Sequence, residues 1–315
     1  MNTHTRGTRN VKRVLVLAVL AALLAAPVFA QTEADFTVTL TDDGAGVKIL
    51  KYTGKTAAVR IPAAIEGMPV REIGRSAFNR HATGGIDITS VTIPAGVTKI
   101  DYQAFFDCGK LTSVVIPDSV TEIGDGAFGD CTALTSVTLG KGVVTIGLDA
   151  FSGNKLLKTV NLPAGLQTID QNAFRYCAAL TAITVPGSVT KWTAAFANSG
   201  LVSVTLGAGL TAIGQSAFED CKNLKSIVIP EGVTEIERAA FDGCKALTSV
   251  TLPSTIKKIG DAFSYCESLT TITIPDSVET IEFYNNDTYS TLFSGLKLTL
   301  ASQAALKKRG YKGRF

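Results

Sequence analysis

The sequence predicts a β-rich solenoid built from parallel strands, and three observations predict it. A Phe column runs Phe78, Phe105, Phe128, Phe151, Phe174, Phe196, Phe218, Phe241 and Phe263, each preceded by Ala, with one gap of 27 and then gaps of 22 or 23. A second column carries Pro94, Pro117, Gly140, Pro163, Pro186, Gly207, Pro230, Pro253 and Pro275. Between the two, stretches such as Leu134-Thr-Ser-Val137-Thr-Leu139 alternate apolar and hydroxyl residues, the pattern of a half-buried strand. Leu, Val and Ile at fixed offsets within a period of roughly 20–29 residues mark a leucine-rich-repeat solenoid, in which one unit cannot bury its apolar face without its neighbours. About nine to ten units of 22–23 residues are expected between 59 and 282.

The elements follow in order. Arg6, Arg9, Lys12 and Arg13 precede the apolar run 14–26 and then Pro27-Val28-Phe29-Ala30. That is the pattern of a secretory leader cleaved after Ala30. The run falls short of the roughly 20 apolar residues that span a bilayer, and no Cys follows it, so neither membrane insertion nor a lipid-modified N-terminus is expected. Residues 31–58 break the repeat: Phe36, Val38 and Leu40 alternate, Asp42-Asp43-Gly44 marks a turn, and Val47, Ile49 and Tyr52 follow. This reads as a β-hairpin capping the apolar end of the array. The first unit is longer than the rest, which a loop inserted around Glu66-Gly67-Met68-Pro69 explains.

A regular unit reads as a strand, a Pro or Gly stop, a second short extended or turning segment such as Val143 to Ile146, and a tight turn at Ala150-Phe151. One stretch is irregular. GSVTKWTAAFANSG at 187–200 is a residue short on each side of Phe196, with Trp192 where other units have Ile. It reads either as a repacked core or as a kink that exposes Trp192 beside a groove. After Ile281 the pattern dissolves, and 283–315 reads as a C-terminal cap, with a short helix at 302–311 and a basic tail.

Composition and motif content exclude most chemistry. Without the leader, 26 basic residues face 27 acidic ones, and five of the cations crowd the last nine residues. No basic stripe for nucleic acid remains. His81 is the one histidine after the leader, so a Ser–His–Asp or Cys–His site is not expected. No Walker or Rossmann glycine pattern occurs, and acidic residues such as Glu122, Asp130 and Glu235 sit at scattered outward positions. No catalytic residue, cofactor or metal site is predicted. Cys108, Cys131, Cys177, Cys221, Cys244 and Cys266 all lie three residues after a Phe, a column that other units fill with His81, Asn154 and Ser199. Disulfides are the ordinary reading of paired cysteines in an exported chain. Parallel Cβ vectors on adjacent units suit the disulfide torsion badly, so the column is read as six buried free thiols that meet backbone groups at the turn.

What remains is the strand surface. Flanking the central Val or Ile of each strand are two outward columns, which supply the candidate binding face: Ser113, Ser136, Thr159, Ser203, Ser226 and Ser249 in one, and Val115, Thr138, Asn161, Thr184, Thr205, Val228 and Thr251 in the other, with Trp192 added from the irregular unit. The face is uncharged, long and rich in hydroxyls. Solenoids recognise partners through such extended surfaces.

The unit LTSVTxPxxVTxIGxxAFxxC, the opening IPAAIEGMPVREIGRSAF and the hairpin DFTVTLTDDGAGVKILKYTG make the chain resemble the BspA-like leucine-rich-repeat family of bacterial surface antigens. The resemblance covers about 35–282. It implies an exported, periplasmic, cell-surface or secreted protein, with adhesin-like binding to host matrix proteins or other cells as some members show. Two functions follow as expectations: a non-enzymatic binding module for a protein or glycan partner, or a periplasmic scaffold with no host ligand.

Overall fold

The computed structural model describes residues 31–282 and, beyond them, Ala304, Lys307 and Lys308, which are helical. The leader expected at 1–30 and the rest of the C-terminal segment lie outside the described residues. Over 31–282 the chain winds as a parallel β-solenoid of about ten turns of about 23 residues.

The hairpin comes first. Strand β1 (Phe36–Leu40) pairs antiparallel with β2 (Val47–Tyr52). After β3 (Ala58–Arg60) come β4 (Ala64–Ile65) and β5 (Met68–Ile73), joined through Glu66 and Gly67, whose φ of 52° and 75° form a two-residue turn. The insertion expected around Glu66 is therefore a tight antiparallel hairpin. β2 pairs parallel with β5, which joins the cap to the array.

From there each unit contributes two strands. One is the Ser-Val-Thr strand predicted from alternation. Ser113–Val115, Ser136–Thr138 and Thr159–Asn161 pair in register, Ala182–Val185 pairs with Ser203–Leu206, and Ser226–Val228 pairs with Ser249–Thr251. The other is only two residues long, yet it builds the longer sheet. β5 is followed in parallel by Lys99–Ile100, Glu122–Ile123, Thr145–Ile146, Thr168–Ile169 and Lys191–Trp192. A separate run then joins Ala212–Ile213, Glu235–Ile236, Lys258–Ile259 and Thr280–Ile281. Among the described residues, the two-residue sheet has its break between Lys191–Trp192 and Ala212–Ile213, where the face strands pair over four residues instead of three.

A third ladder runs through the turns. The Phe151 N–H donates to the Ala173 carbonyl of the next unit at 2.8 Å, and the same bond recurs from Phe78 to Phe241. Every Phe in the column is fully buried, and adjacent rings stack with centroids 4.8–5.7 Å apart and planes within 14°. The hairpin closes this stack: Tyr52 lies on Phe78 at 5.6 Å, and Phe36 lies on Tyr52 at 5.4 Å.

Two turn columns hold left-handed backbone, two residues before and two residues after the Phe. Gln103, Asp149, Asn172, Ala194 and Ala239 fill the first, with φ between 48° and 60°, and Asp107, Asp130, Tyr176 and Asp220 fill the second, with φ between 55° and 61°. For residues with a Cβ this conformation costs roughly 1–2 kcal/mol each. The stacked rings and turn ladder on both sides hold it in place.

Candidate functional site

The Cys column points inward as the repeat implies, and its thiols are free. Each Sγ donates to the carbonyl of the preceding unit's Phe, as in Cys131 to Phe105 at 3.2 Å and Cys244 to Phe218 at 3.2 Å. Asn154 does the same work with its amide, donating to Phe128 at 2.9 Å and Phe151 at 2.8 Å. Ser199 sits against the Cys221 thiol at 3.3 Å. His81 departs from this column. The stretch that follows Phe78 is longer than in later units, and the His81 ring is 82% exposed beside Asp107. Burial pushes the Cys177, Cys221 and Cys266 thiols up to about 12, which keeps them protonated near neutral pH.

The two outward columns lie where the alternation puts them. Val115, Thr138, Asn161, Thr184, Thr205, Val228 and Thr251 are all exposed, and so are Ser113, Thr159, Ser203, Ser226 and Ser249, while Ser136 is half-buried. Val115 and Val228, each 64% exposed, are the apolar points on this surface. No ionisable residue stands in either column from 113 to 251. The two-residue sheet differs in kind, because ion pairs run along it: Lys48–Glu72 at 2.7 Å, Lys99–Glu122 at 2.9 Å, and Lys258 with both Glu235 and Glu282 at 3.0 and 2.9 Å. Such half-exposed pairs add little stability, but they occupy the charges of that surface. The uncharged strand face is left with free hydroxyls.

Trp192 does not belong to the face. It lies in the two-residue sheet opposite Ile169, only 4% exposed, with its indole N–H on the Ala212 carbonyl at 3.3 Å and its ring edge-on to Phe218 at 5.6 Å. The kink that would expose it is absent. The indole is too large for an Ile site, so it reaches across to the next unit and takes a backbone acceptor there, at the break in the two-residue sheet. Of the two readings of the short unit, the repacked core is the one found.

Asn161 adds a feature that its column alone does not announce. Its side-chain amide imitates a peptide group: Oδ1 accepts the Leu139 N–H at 2.9 Å and Nδ2 donates to the Leu139 carbonyl at 3.0 Å. Among the described residues no ladder pairs Thr159–Asn161 with Ala182–Val185. A depression of about 380 Å³ opens between these strands, with Val160 and Leu162 half-exposed on its floor and Thr184, Ser203 and Thr205 around it. An Asn among Thr and Val residues is the one sequence signal for it.

Comparison with known proteins places the repeat. The family model for the BspA type leucine rich repeat region matches in six copies, over residues 71–195 and 192–293. A leucine rich repeat protein of T. pallidum is 26% identical, with 90% of this chain and 98% of that one aligned at a TM-score of 0.48. A leucine rich cell surface protein from Faecalibacterium prausnitzii is also 26% identical, over 84% of this chain and 97% of that one, at a TM-score of 0.36. The pneumococcal vaccine antigen PcpA is 18% identical, over 84% and 78%, at a TM-score of 0.49. No curated protein sequence matches the chain.

Proposed function

Because the chain belongs to the BspA type leucine-rich-repeat family, we propose that it is an exported, non-enzymatic, adhesin-like protein that contacts a host matrix protein or another cell through its strand face. The observation that supports this reading most directly is the contrast between the two sheets. One surface has its charges paired along the array, and the other presents two columns made mostly of exposed hydroxyls, with two exposed valines and no charge. Hydroxyls both donate and accept, so such a face offers many weak polar contacts at low desolvation cost. Affinity on a solenoid then comes from the number of units engaged. Among the described residues no helix is long and apolar enough to cross a membrane.

Immobilised fibronectin and fibrinogen provide the test. Binding is expected for the native chain, with at least a tenfold loss in a variant carrying Thr138→Arg and Thr205→Arg, which places two uncompensated cations in the second column. Equal binding by that variant sinks the face assignment. Protease treatment of intact cells separates surface display from a periplasmic scaffold, since only a displayed protein is degraded.

A further inference from the structure

The turn ridge has one unit from which side chains are missing. Two residues before the Phe the column reads Ser76, Gln103, Gly126, Asp149 and Asn172, and one residue after it the column reads Asn79, Phe106, Gly129, Ser152 and Arg175. The unit at 124–131 alone has Gly in both places. A trench of about 360 Å³ opens over Gly126 and Gly129. Tyr102 and Phe106 form one wall, with the Phe106 ring 3.1 Å from where a Cβ on Gly129 would stand. Asp125, Asp130 and Asp149 line the trench as well.

The chemistry of these walls selects a ligand. Three carboxylates line the trench with no Lys, Arg or His among them. Ionised carboxylates only accept hydrogen bonds, so the ligand must bring donors. Asp125 already accepts the Leu148 N–H at 2.9 Å, which fixes its carboxylate at the rim. Burial raises the Asp149 carboxyl pKa, a cost that an arriving positive charge offsets. A neutral sugar would supply donors but no charge to these carboxylates, of which Asp149 already has the Ser152 and Asn172 side chains and the Arg175 charge acting on it. A bare divalent ion needs ligands that converge, and among the described residues no three Asp, Glu, His or Cys side chains do so. Aromatic faces attract cations, and this ridge already uses that contact twice: Arg75 lies 4.2 Å over the Tyr102 ring, and Arg175 lies 4.7 Å over Tyr176. Neither of these arginines lines the trench, although Arg175 acts on Asp149 through its field.

We propose that the trench is a docking site for an arginine side chain of a protein partner, with the guanidinium lying against Phe106 and its N–H groups on Asp125, Asp130 and Asp149. A planar cation with several in-plane donors matches one aromatic wall and a carboxylate rim better than the compact, strongly hydrated ammonium of lysine. The site is separate from the strand face and stands whether or not that face binds.

Titrating the full chain with a hexapeptide of alternating Arg and Gly, and following the Gly126 and Gly129 amide resonances by NMR, tests the proposal. Saturable shifts are expected for this peptide, and no shifts for its citrulline counterpart or for methyl glucoside. Gly126→Asn fills the trench in a backbone that Asn172 already adopts in the same column at φ 60°. Phe106→Ser removes the aromatic wall and leaves the residue that Ser152 supplies in its own unit. Each variant should weaken binding roughly three- to tenfold, while the Thr138→Arg, Thr205→Arg chain should bind as the native protein does. Equal shifts from the citrulline peptide, shifts from the glucoside in place of the Arg peptide, no shift with any probe, or native affinity in both trench variants would overturn the assignment.

Discussion

Replacing Phe151 by Ala removes a central rung from the ring stack. The ring is fully buried, 5.4 Å from Phe128 with planes 2° apart and 5.3 Å from Phe174 with planes 5° apart. Truncating a buried Phe costs about 3–5 kcal/mol through lost transfer free energy and the cavity left behind. Loss of two stacked neighbours, each contributing about 0.5–1.5 kcal/mol beyond area alone, puts Phe151 in the upper half of that range, about 4–5 kcal/mol. The backbone of the turn still closes, because the bond from the residue 151 N–H to the Ala173 carbonyl does not involve the side chain. Urea unfolding followed by far-UV circular dichroism measures the loss. A second substitution locates it: Phe174→Ala touches the same cavity and should couple to Phe151→Ala by about 0.5–3 kcal/mol, whereas Phe241→Ala, four rungs away, should add to it within about 0.5 kcal/mol. A loss below about 1 kcal/mol, or equal coupling to both partners, refutes the ladder as the main source of stability.

Three further outcomes are expected. None of the six thiols should react with an aromatic disulfide reagent in the native protein and all six should react in denaturant, so fewer than six in denaturant would mean a disulfide. Burial, then Glu219, Asp261 and Asp220, push the Asp242 carboxyl up to about 6 from its ordinary 3.8. A raised acid is favoured by folding in its protonated form, so the contribution of Asp242 to stability should be fully present below about 3.8 and lost as pH rises through about 6, by of order 1 kcal/mol after allowance for solvent screening. Thermal melts of Asp242→Asn should lack that slope. Ala239 sits at φ 55° and its neighbour Ala240 is fully buried in ordinary backbone, so Ala239→Gly should be neutral or gain up to about 1 kcal/mol, while Ala240→Gly should cost about 1 kcal/mol. Equal effects of the two would show that the left-handed column carries no strain.

The Phe, Cys and Ser-x-Thr columns are legible in the sequence because each occupies nearly the same environment in most units, and one environment favours one kind of side chain. The two-residue strands are not legible as a sheet. Lys99-Ile100 or Thr145-Ile146 is too short to alternate, and only stacking reveals that these pairs form the longer ladder. The left-handed columns are hidden for a different reason: Gln103, Tyr176 and Ala239 are not turn formers, and the rigid units around them impose the conformation on whatever residue stands there. At the candidate face, the outward columns follow from period alone. Trp192 misleads because its size marks it as unusual without indicating direction, and the backbone role of Asn161 is silent because an amide that replaces a peptide group looks in sequence like any polar strand residue. His81 shares a spacing with the cysteines but sits in a longer stretch after its Phe, and its ring is exposed.

Among the described residues, the places where the two sheets stop pairing never coincide. The face strands lose their pairing between Thr159–Asn161 and Ala182–Val185, where Thr168–Ile169 and Lys191–Trp192 remain joined. The two-residue strands separate in the following unit, where Ala182–Val185 and Ser203–Leu206 are joined over four residues. Masons offset the joints of successive courses so that a crack cannot run straight through a wall, and the same arrangement here denies the array a cleavage plane. A force pulling the two ends apart finds at every such joint one intact course of strand pairing beside the Phe stack. Where one course of backbone hydrogen bonds lapses, the other continues across the same pair of units.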